Sequence, residues 1–318
     1  MDETNGLATL AASAHPRLDA LIDRARHAAG PPGAIALVYP GDALAMHAAR
    51  QIAQLGVARP LLVGPLAVIQ RAADAAQIDA RDFEIVDTPG QPIEAARRAI
   101  ALAREAQVLA LMKGSLHTDE LMAAVVERDT GLRADTRISH LFLFDLPRYP
   151  KLLGLTDCAV NIAPSLVTKR DILSNAIGLL KTLGISCPKV GILAAVETVN
   201  PAIQATVDAQ ALVVHAQQGA WPGAQVEGPF GFDNAFSADA ARVKKMVSSV
   251  SGDADLLLVP DLNAGNMLYK SFTYVGGGEC AGLVLGARVP LVMTSRADSP
   301  LARIASVALA VLATARTH

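Results

Sequence analysis

A serine and an arginine stand side by side at positions 295 and 296, directly after the apolar run 290–294. Buried parallel strands read as short apolar runs that end in turn residues, so this run predicts a strand that delivers Ser295 and Arg296 at its carboxyl end. The planar guanidinium of an arginine can bind phosphate through two parallel hydrogen bonds. A neighbouring hydroxyl can donate to a developing oxyanion or to a departing thiolate. The plainer interpretation is an N-cap serine beside a solvated surface arginine.

A second group of polar residues lies between a predicted strand (108–112) and a predicted helix (118–127). Lys113 supplies an ammonium group, and Ser115 and Thr118 supply hydroxyls, with a flexible glycine between them. Backbone N–H groups at a helix start, together with a cation and hydroxyls, can hold an anion. The alternative is that Thr118 simply caps the helix that follows.

A third group follows the apolar run 256–259 and comprises Asp261, Asn263, Gly265, Asn266 and Lys270. These residue types suit a ligand-binding loop and helix start. They suit a plain turn and helix cap equally well.

Every one of these groups follows a predicted strand, and two further polar residues do so as well. Asn161 falls at the end of the run 159–162, and Glu197 follows the run 190–195. The carboxyl ends of parallel strands meet at one edge of a sheet, which is where open α/β sheets bind ligands. We therefore expect all of these groups to face the same edge.

The elements that position them alternate between strand and helix along nearly the whole chain. Asp42 opens a predicted helix that Gly56 stops, and a helical pattern over 168–183 ends before Gly184. Such alternation indicates βαβ units, and hence parallel sheets covered by helices on both faces. The pattern predicts a doubly wound α/β protein.

Composition narrows the function classes. The chain has 318 residues, a length that favours about two domains, and 28 basic against 30 acidic residues give a net charge of −2. That balance gives no electrostatic case for nucleic acid or an anionic membrane. Hydrophobic residues make up 52%, so part of the buried surface is expected in a homodimer interface.

The cysteines and the N-terminus predict a cytoplasmic protein. Three isolated cysteines favour a reducing compartment over a disulfide framework. The first residues lack the features of a signal peptide, and no apolar run is long enough to span a membrane.

Several common site motifs are missing from the sequence. There is no HExxH or Cys/His cluster for a metal, no GxxxxGK[ST] phosphate loop, no GxGxxG fingerprint and no GxSxG elbow. We therefore expect no metal and no cofactor.

The chain resembles the phosphate acetyltransferase/phosphate butyryltransferase family. The resemblance covers roughly residues 30 to 316 in ordered blocks. The blocks read PDLNAGNMLYK, LVLGARVPLVMTSR, MKGSLHTDELMAAVV, GLRADTRISHLFLFDLP, DCAVNIAPS, AAVETVNP and EGPFGFDNA. The resemblance implies two doubly wound α/β/α domains in the isopropylmalate-dehydrogenase style, with the active cleft between them. It places the first domain at 1–138 plus 290–318 and the second at 139–289.

The resemblance also implies roles for individual residues. Ser295 and Arg296 match the family's catalytic pair. The groups around Lys113 and Asn263 match blocks that line its cleft. Two positions depart from the family pattern: the stretch 300–303 lacks a carboxylate that marked acetyltransferases carry, with Asp298 near but offset, and Met122 stands where many relatives have an arginine. Arg133 or Lys113 is expected to take over phosphate binding.

The sequence therefore predicts a phosphate acetyltransferase that transfers the acetyl group of acetyl-CoA to inorganic phosphate. Three different functions stay open beside it. The first is the same chemistry on butyryl-CoA. The second is that of a weakly active relative that binds coenzyme A or an acyl phosphate. The third is that of an oxidoreductase on the related two-domain fold.

Overall fold

A computed structural model describes residues 13–28, 32–295 and 297–314. Within these residues eleven strands form one continuous sheet. The strands are β1 (Ala34–Val38), β2 (Arg59–Gly64), β3 (Glu84–Asp87), β4 (Ala110–Lys113), β5 (Ser139–Asp145), β6 (Leu153–Thr156), β7 (Lys189–Leu193), β8 (Gln225–Phe230), β9 (Leu256–Leu258), β10 (Glu279–Leu285) and β11 (Leu291–Val292). Their order across the sheet is β3-β2-β1-β4-β11-β10-β5-β6-β9-β7-β8.

Helices pack on this sheet. They are α1 (Pro16–Arg26), α2 (Ala43–Leu55), α3 (Leu66–Ala76), α4 (Pro92–Arg104), α5 (Thr118–Val125), α6 (Leu166–Thr182), α7 (Gln204–Gln217), α8 (Phe232–Phe236), α9 (Ala238–Val243), α10 (Leu262–Tyr274) and α11 (Pro300–Thr314), with a 3₁₀ turn at Ala80–Asp82. The mixed α/β architecture is as predicted. No described helix is long and apolar enough to cross a membrane.

Local sequence explains many of these boundaries. The carboxylate of Asp42 accepts a hydrogen bond from the backbone N–H of Ala45 at 2.9 Å and so caps α2. Gly56 ends the same helix at φ 67°, a left-handed conformation that glycine adopts without steric cost. All five residues of β1 are buried, as expected of a strand with helices on both faces.

Strand direction reverses in the middle of the sheet. The strands β3, β2, β1, β4 and β11 are mutually parallel, and so are β6, β9, β7 and β8. Between the two blocks, β10 is antiparallel to β11 and to β5, and β5 is antiparallel to β6. Three successive reversals put the carboxyl ends of the two blocks at opposite edges of the sheet. The expectation of a single edge for all the polar groups is therefore wrong.

A predicted strand at 159–162 is also wrong. The strand lies earlier, at β6, and the chain turns after it because the Asp157 carboxylate accepts hydrogen bonds from the backbone N–H groups of Ala159, Val160 and Asn161. An aspartate that binds its own downstream backbone in this way favours a turn over a strand.

The last part of the chain returns to the centre of the sheet. β11 pairs with β4 on one side and β10 on the other, and α11 then packs against α1 and β10. Residues 302–312 of α11 are all buried, so this helix is a core element. The return places Ser295 beside the end of β4. The division into domains 1–138 plus 290–318 and 139–289 stays a prediction.

Candidate active site

Ser295 lies in the loop that follows β11, and two cavities open on either side of it. It lines both. Its backbone N–H donates to Asp298 Oδ2 at 2.7 Å, and its carbonyl oxygen accepts from Arg303 Nη2 at 3.3 Å. Its side-chain Oγ accepts from the backbone N–H of Ala297 at 3.2 Å. The backbone N–H and carbonyl of Ser295 are thus both held by hydrogen bonds. Because its Oγ acts as an acceptor in the third bond, its hydroxyl proton can be donated to a ligand.

The first cavity, which we call the basic cavity, has a volume of about 220 Å³. Among the residues that the structure describes, two cations line it, Lys113 from the end of β4 and Arg303 from α11. The other polar residues on its wall are Asp42, Ser115, His117, Thr118, Thr294 and Ser295. Two cations, one carboxylate and several hydroxyls give this cavity a positive balance that suits an anion.

The loop after β4 is fixed in place by backbone contacts. The backbone N–H groups of Gly114 and Ser115 donate to the carbonyl oxygens of Val38 and Tyr39, both at 2.9 Å. A Cβ on Gly114 would lie 2.5 Å from the Val38 oxygen, so only glycine fits this close approach. Lys113 Nζ donates to the carbonyl oxygen of Leu116 at 3.1 Å, which holds the ammonium over the same loop.

The start of α5 adds to the basic cavity. The N-cap is His117 rather than Thr118, and its backbone N–H donates to Glu120 Oε2 at 2.8 Å. The interpretation of Thr118 as the cap is therefore wrong. Thr118 is exposed and lines the cavity.

The second cavity, which we call the aromatic cavity, has a volume of about 320 Å³. Phe142, Tyr269 and His140 line it; the rings of Phe142 and Tyr269 stack on each other with centroids 4.4 Å apart, and the His140 ring centroid lies 4.1 Å from that of Phe142. The rings of His140 and Phe142, both on β5, lie over Gly282 of β10. A Cβ on Gly282 would lie 2.9 Å from His140 Cε1 and 3.0 Å from Phe142. Gly282 therefore leaves the room that these rings occupy.

Burial keeps much of the aromatic cavity wall uncharged. It lowers the pKa of His140 from 6.5 to about 4, and the nearby carboxylate of Asp157 only partly opposes this. Burial also raises the pKa of the Tyr269 hydroxyl and of the Cys280 thiol. At neutral pH these three groups are neutral, so their part of the wall suits an uncharged acyl group, whereas Lys270, Glu279 and Asp298 line the rest of it.

Asp298 joins the loop of Ser295 to the aromatic cavity. Burial raises the pKa of its carboxyl, while the hydrogen bond from the Ser295 N–H and the charge of Arg303 act in the opposite direction. The sequence marked Asp298 only as a nearby candidate. The structure places it in direct contact with Ser295.

The structure brings some of the predicted site residues together. Lys113, Ser115 and Thr118 meet Ser295 at the basic cavity, and Lys270 meets it at the aromatic cavity. Arg296 falls outside the described residues.

Other predicted site residues lie elsewhere. Arg133 is exposed, forms a bridge with Ala287 and lines neither cavity. Asp261 caps α10 by accepting from the Ala264 N–H at 3.0 Å. A Cβ on Gly265 would lie 3.0 Å from the carbonyl oxygen of Asp157, so this glycine serves close packing.

Asn263 and Asn266 occupy the first turns of α10, which follows β9. They lie toward the edge opposite Ser295, because β9 runs antiparallel to β11. From this edge α10 runs back across the sheet toward the edge of Ser295. Lys270, further along the helix, therefore lines the same cavity as Ser295. A binding role for the residues at its start stays a prediction.

The sequence did not identify Arg303, His140 or Gly282 as site residues. For Arg303 a signal was present, because it is a single charge within the apolar run of 302–312. A histidine and a glycine inside apolar stretches of the sequence carry no comparable signal. Among the described residues, no group of three or more His, Cys, Asp or Glu side chains is arranged to hold a metal ion.

Comparison with known proteins agrees with the resemblance seen in the sequence. A family model described as Phosphate acetyl/butaryl transferase matches residues 93–311. The chain is 47% identical over 300 residues to a phosphate acetyltransferase of Rhizobium meliloti, covering 94% of each chain. It is 40% identical to a probable phosphate butyryltransferase of Bacillus subtilis, covering 88% of this chain and 92% of that one.

A solved structure shows the same fold. The crystal structure of a branched-chain phosphotransacylase from Enterococcus faecalis superposes with a TM-score of 0.78 at 27% identity, covering 88% of this chain and 98% of that one. The match of the family model to more than half of the chain and the identity to the curated relatives agree with each other. The chain therefore belongs to the phosphate acetyl/butaryl transferase family.

Proposed function

We propose that this protein is a phosphate acetyltransferase, which converts acetyl-CoA and inorganic phosphate into acetyl phosphate and coenzyme A. The observation that carries the proposal is the position of Ser295, between a cavity that Lys113 and Arg303 line and a cavity with an aromatic and apolar wall that Lys270, Glu279 and Asp298 also line. Phosphate needs the first environment, and the acyl end of the thioester needs the second. The family and its acetyltransferase relatives support the same reaction.

In the proposed reaction a phosphate oxygen attacks the thioester carbonyl carbon directly. The new C–O bond forms, the C–S bond breaks, and coenzyme A leaves as a thiolate that takes up a proton. Phosphate already carries the nucleophilic oxygen, so positioning and charge stabilisation can supply most of the catalysis. Lys113 and the hydroxyls of the basic cavity would hold the phosphate, and the Ser295 hydroxyl would donate to the carbonyl oxygen or to the departing sulfur.

Arg296 remains part of the proposal as a phosphate ligand, on the strength of the family resemblance. The proposal also includes a homodimer that acts in the cytoplasm without a metal or a cofactor. Direct transfer to phosphate needs neither of these groups, and the high apolar content of the chain supports an interface.

A butyryl group is the second candidate for the acyl chain, and one observation favours it. The aromatic cavity, at about 320 Å³, is within the range of whole small-molecule sites and exceeds what an acetyl group fills. The measurement that separates the two is thiol release from acetyl-CoA and from butyryl-CoA, with and without phosphate. Phosphate-dependent release that is faster with acetyl-CoA supports the proposal. Faster release with butyryl-CoA would assign the butyryl reaction, and release that ignores phosphate would refute both.

A weakly active binding protein and an oxidoreductase would behave differently in these measurements. A weakly active binding protein would bind coenzyme A tightly and show no release with either thioester. An oxidoreductase would bind a nicotinamide nucleotide, and membership of a transferase family argues against it.

A further inference from the structure

A buried arginine, which the sequence analysis did not name as a site residue, lines the basic cavity. Arg303 is 7% exposed and lies on α11. Apart from Ser306, every other residue from 302 to 312 is apolar. A buried cation is costly unless opposite charges and hydrogen-bond acceptors surround it, so the groups around this guanidinium decide what it can do.

The contacts of Arg303 tie it to Ser295. Its Nη2 donates to the Ser295 carbonyl oxygen at 3.3 Å. Its charge also acts on Asp298, the carboxylate that accepts from the Ser295 N–H. The guanidinium thus sits directly behind the loop that carries the predicted catalytic serine.

Arg303 shares the basic cavity with a second cation. Lys113 lines the same cavity from β4, and Asp42 is the carboxylate on its wall. Like charges around one cavity repel each other, and an anion bound between them relieves that repulsion. Ser115 and Thr118 add hydroxyls that can donate to its oxygens.

The chemistry of the cavity points to a tetrahedral oxyanion. An arginine fork matches two phosphate oxygens at once, and an ammonium acts as a point charge beside it. Arg133, one of the two residues expected to compensate for Met122, lies outside the cavity. Arg303 reaches the same cavity from a helix distant in sequence.

We propose that Arg303 is a phosphate-binding residue that holds inorganic phosphate in the basic cavity next to Ser295. This inference rests on the proposed function for its role in turnover, and on the cavity alone for binding. The guanidinium holds the phosphate dianion beside the thioester carbonyl, with Lys113 as the second cation of the cavity.

The test compares Arg303→Met and Arg303→Lys with the control Arg98→Met, which changes an exposed arginine of α4. Methionine keeps the apolar length of the side chain, so the fold can accommodate it. In Arg303→Met we expect KM for phosphate to rise at least tenfold, with KM for acetyl-CoA within about twofold of wild type, where tenfold corresponds to about 1.4 kcal/mol. Arg303→Lys should recover part of the loss, and the control should match wild type.

A binding measurement separates this inference from the proposed function. Inorganic phosphate should raise the melting temperature of the wild-type protein; Arg303→Met should lose all or most of that rise, and Arg303→Lys should lose part of it. That result supports the site even if the wild type fails to release thiol. If phosphate stabilises wild type and both variants equally, or does not stabilise the wild type, the inference is wrong. An equal rise in both KM values would likewise overturn it, since it would indicate a general structural role.

Discussion

The backbone N–H of Ser295 and the carboxylate of Asp298 form a 2.7 Å hydrogen bond across the turn that follows β11. This contact holds the serine at the junction of the basic and aromatic cavities. A small displacement of such a residue can cost a large factor in rate, because the reacting atoms must meet in one geometry. The loop is therefore expected to matter for catalysis as much as the serine hydroxyl itself.

Replacing Asp298 tests whether it acts by holding the loop. Asp298→Ala removes the acceptor, and we expect kcat to fall by roughly 10- to 100-fold. Asp298→Asn keeps an oxygen that can accept from the Ser295 N–H, so its kcat should stay within a few-fold of wild type. Steady-state kinetics of the two variants decide the matter. If Asp298→Asn is as impaired as Asp298→Ala, the carboxylate has a proton-transfer role that positioning does not explain.

Replacing Ser295 tests the hydroxyl directly. Ser295→Ala removes a donor aimed at the developing charge, and the loss of one such donor typically costs about 10²- to 10³-fold in kcat. KM for both substrates should change little, because the cavities keep their walls. A variant with near-normal kcat would exclude the hydroxyl from the reaction.

The sequence predicted the part of the site that parallel strands form, and it did not predict the part that depends on antiparallel strands. Lys113 ends β4, and Ser295 lies in the loop after β11. Both follow apolar runs that form neighbouring parallel strands, so the pattern predicted that they would lie close together. The pattern could not show that β10 and β5 run antiparallel, because a buried apolar run reads the same in either direction. That reversal separates Asn263 from Ser295.

The site residues that the sequence did not identify reach the site through long-range packing. Arg303 reaches the basic cavity because α11 returns along the centre of the sheet. His140 and Phe142 line the aromatic cavity because Gly282 of the adjacent strand leaves space for their rings. Such contacts depend on strand register and on the path of the chain; the lone charge of Arg303 in an apolar run could mark it as unusual, but no local residue pattern shows which cavity it reaches.

Gly282 provides a test of the aromatic cavity as the acyl site. In Gly282→Ala the new Cβ would approach His140 and Phe142 to within 2.9–3.0 Å, so their rings must shift. Because both rings line the cavity, we expect turnover of butyryl-CoA to fall several-fold more than turnover of acetyl-CoA. Overpacking of this kind should also lower the free energy of unfolding by about 1–3 kcal/mol.

Gly178→Ala is the matched control, since a Cβ at this α6 position meets nothing within 4 Å. It should leave the ratio of butyryl to acetyl turnover unchanged and stabilise the protein by up to about 1 kcal/mol. An unchanged ratio in Gly282→Ala as well would place the acyl group elsewhere.

His140 should make the protein sensitive to acid. Its pKa is about 4 in the folded protein and near 6.5 when unfolded, so the unfolded chain binds the proton more readily. The His140 contribution to the free energy of unfolding is therefore fully present above pH 6.5 and is lost as the pH falls toward 4, by up to roughly 3 kcal/mol.

Denaturant unfolding of wild type and His140→Gln between pH 7 and pH 4 measures this contribution. The difference in free energy of unfolding between the two proteins should shift in favour of the variant as the pH falls. A difference that stays constant over this interval would mean that His140 titrates normally in the folded state.

The most direct measurement of the proposed reaction is the formation of acetyl phosphate itself. The protein is incubated with acetyl-CoA and inorganic phosphate, acetyl phosphate is measured by phosphorus NMR, and free thiol is measured in the same samples. We expect equal amounts of acetyl phosphate and coenzyme A, both dependent on phosphate and both strongly reduced in Ser295→Ala. Coenzyme A released without acetyl phosphate, or equal product formation by Ser295→Ala, would contradict the proposed reaction.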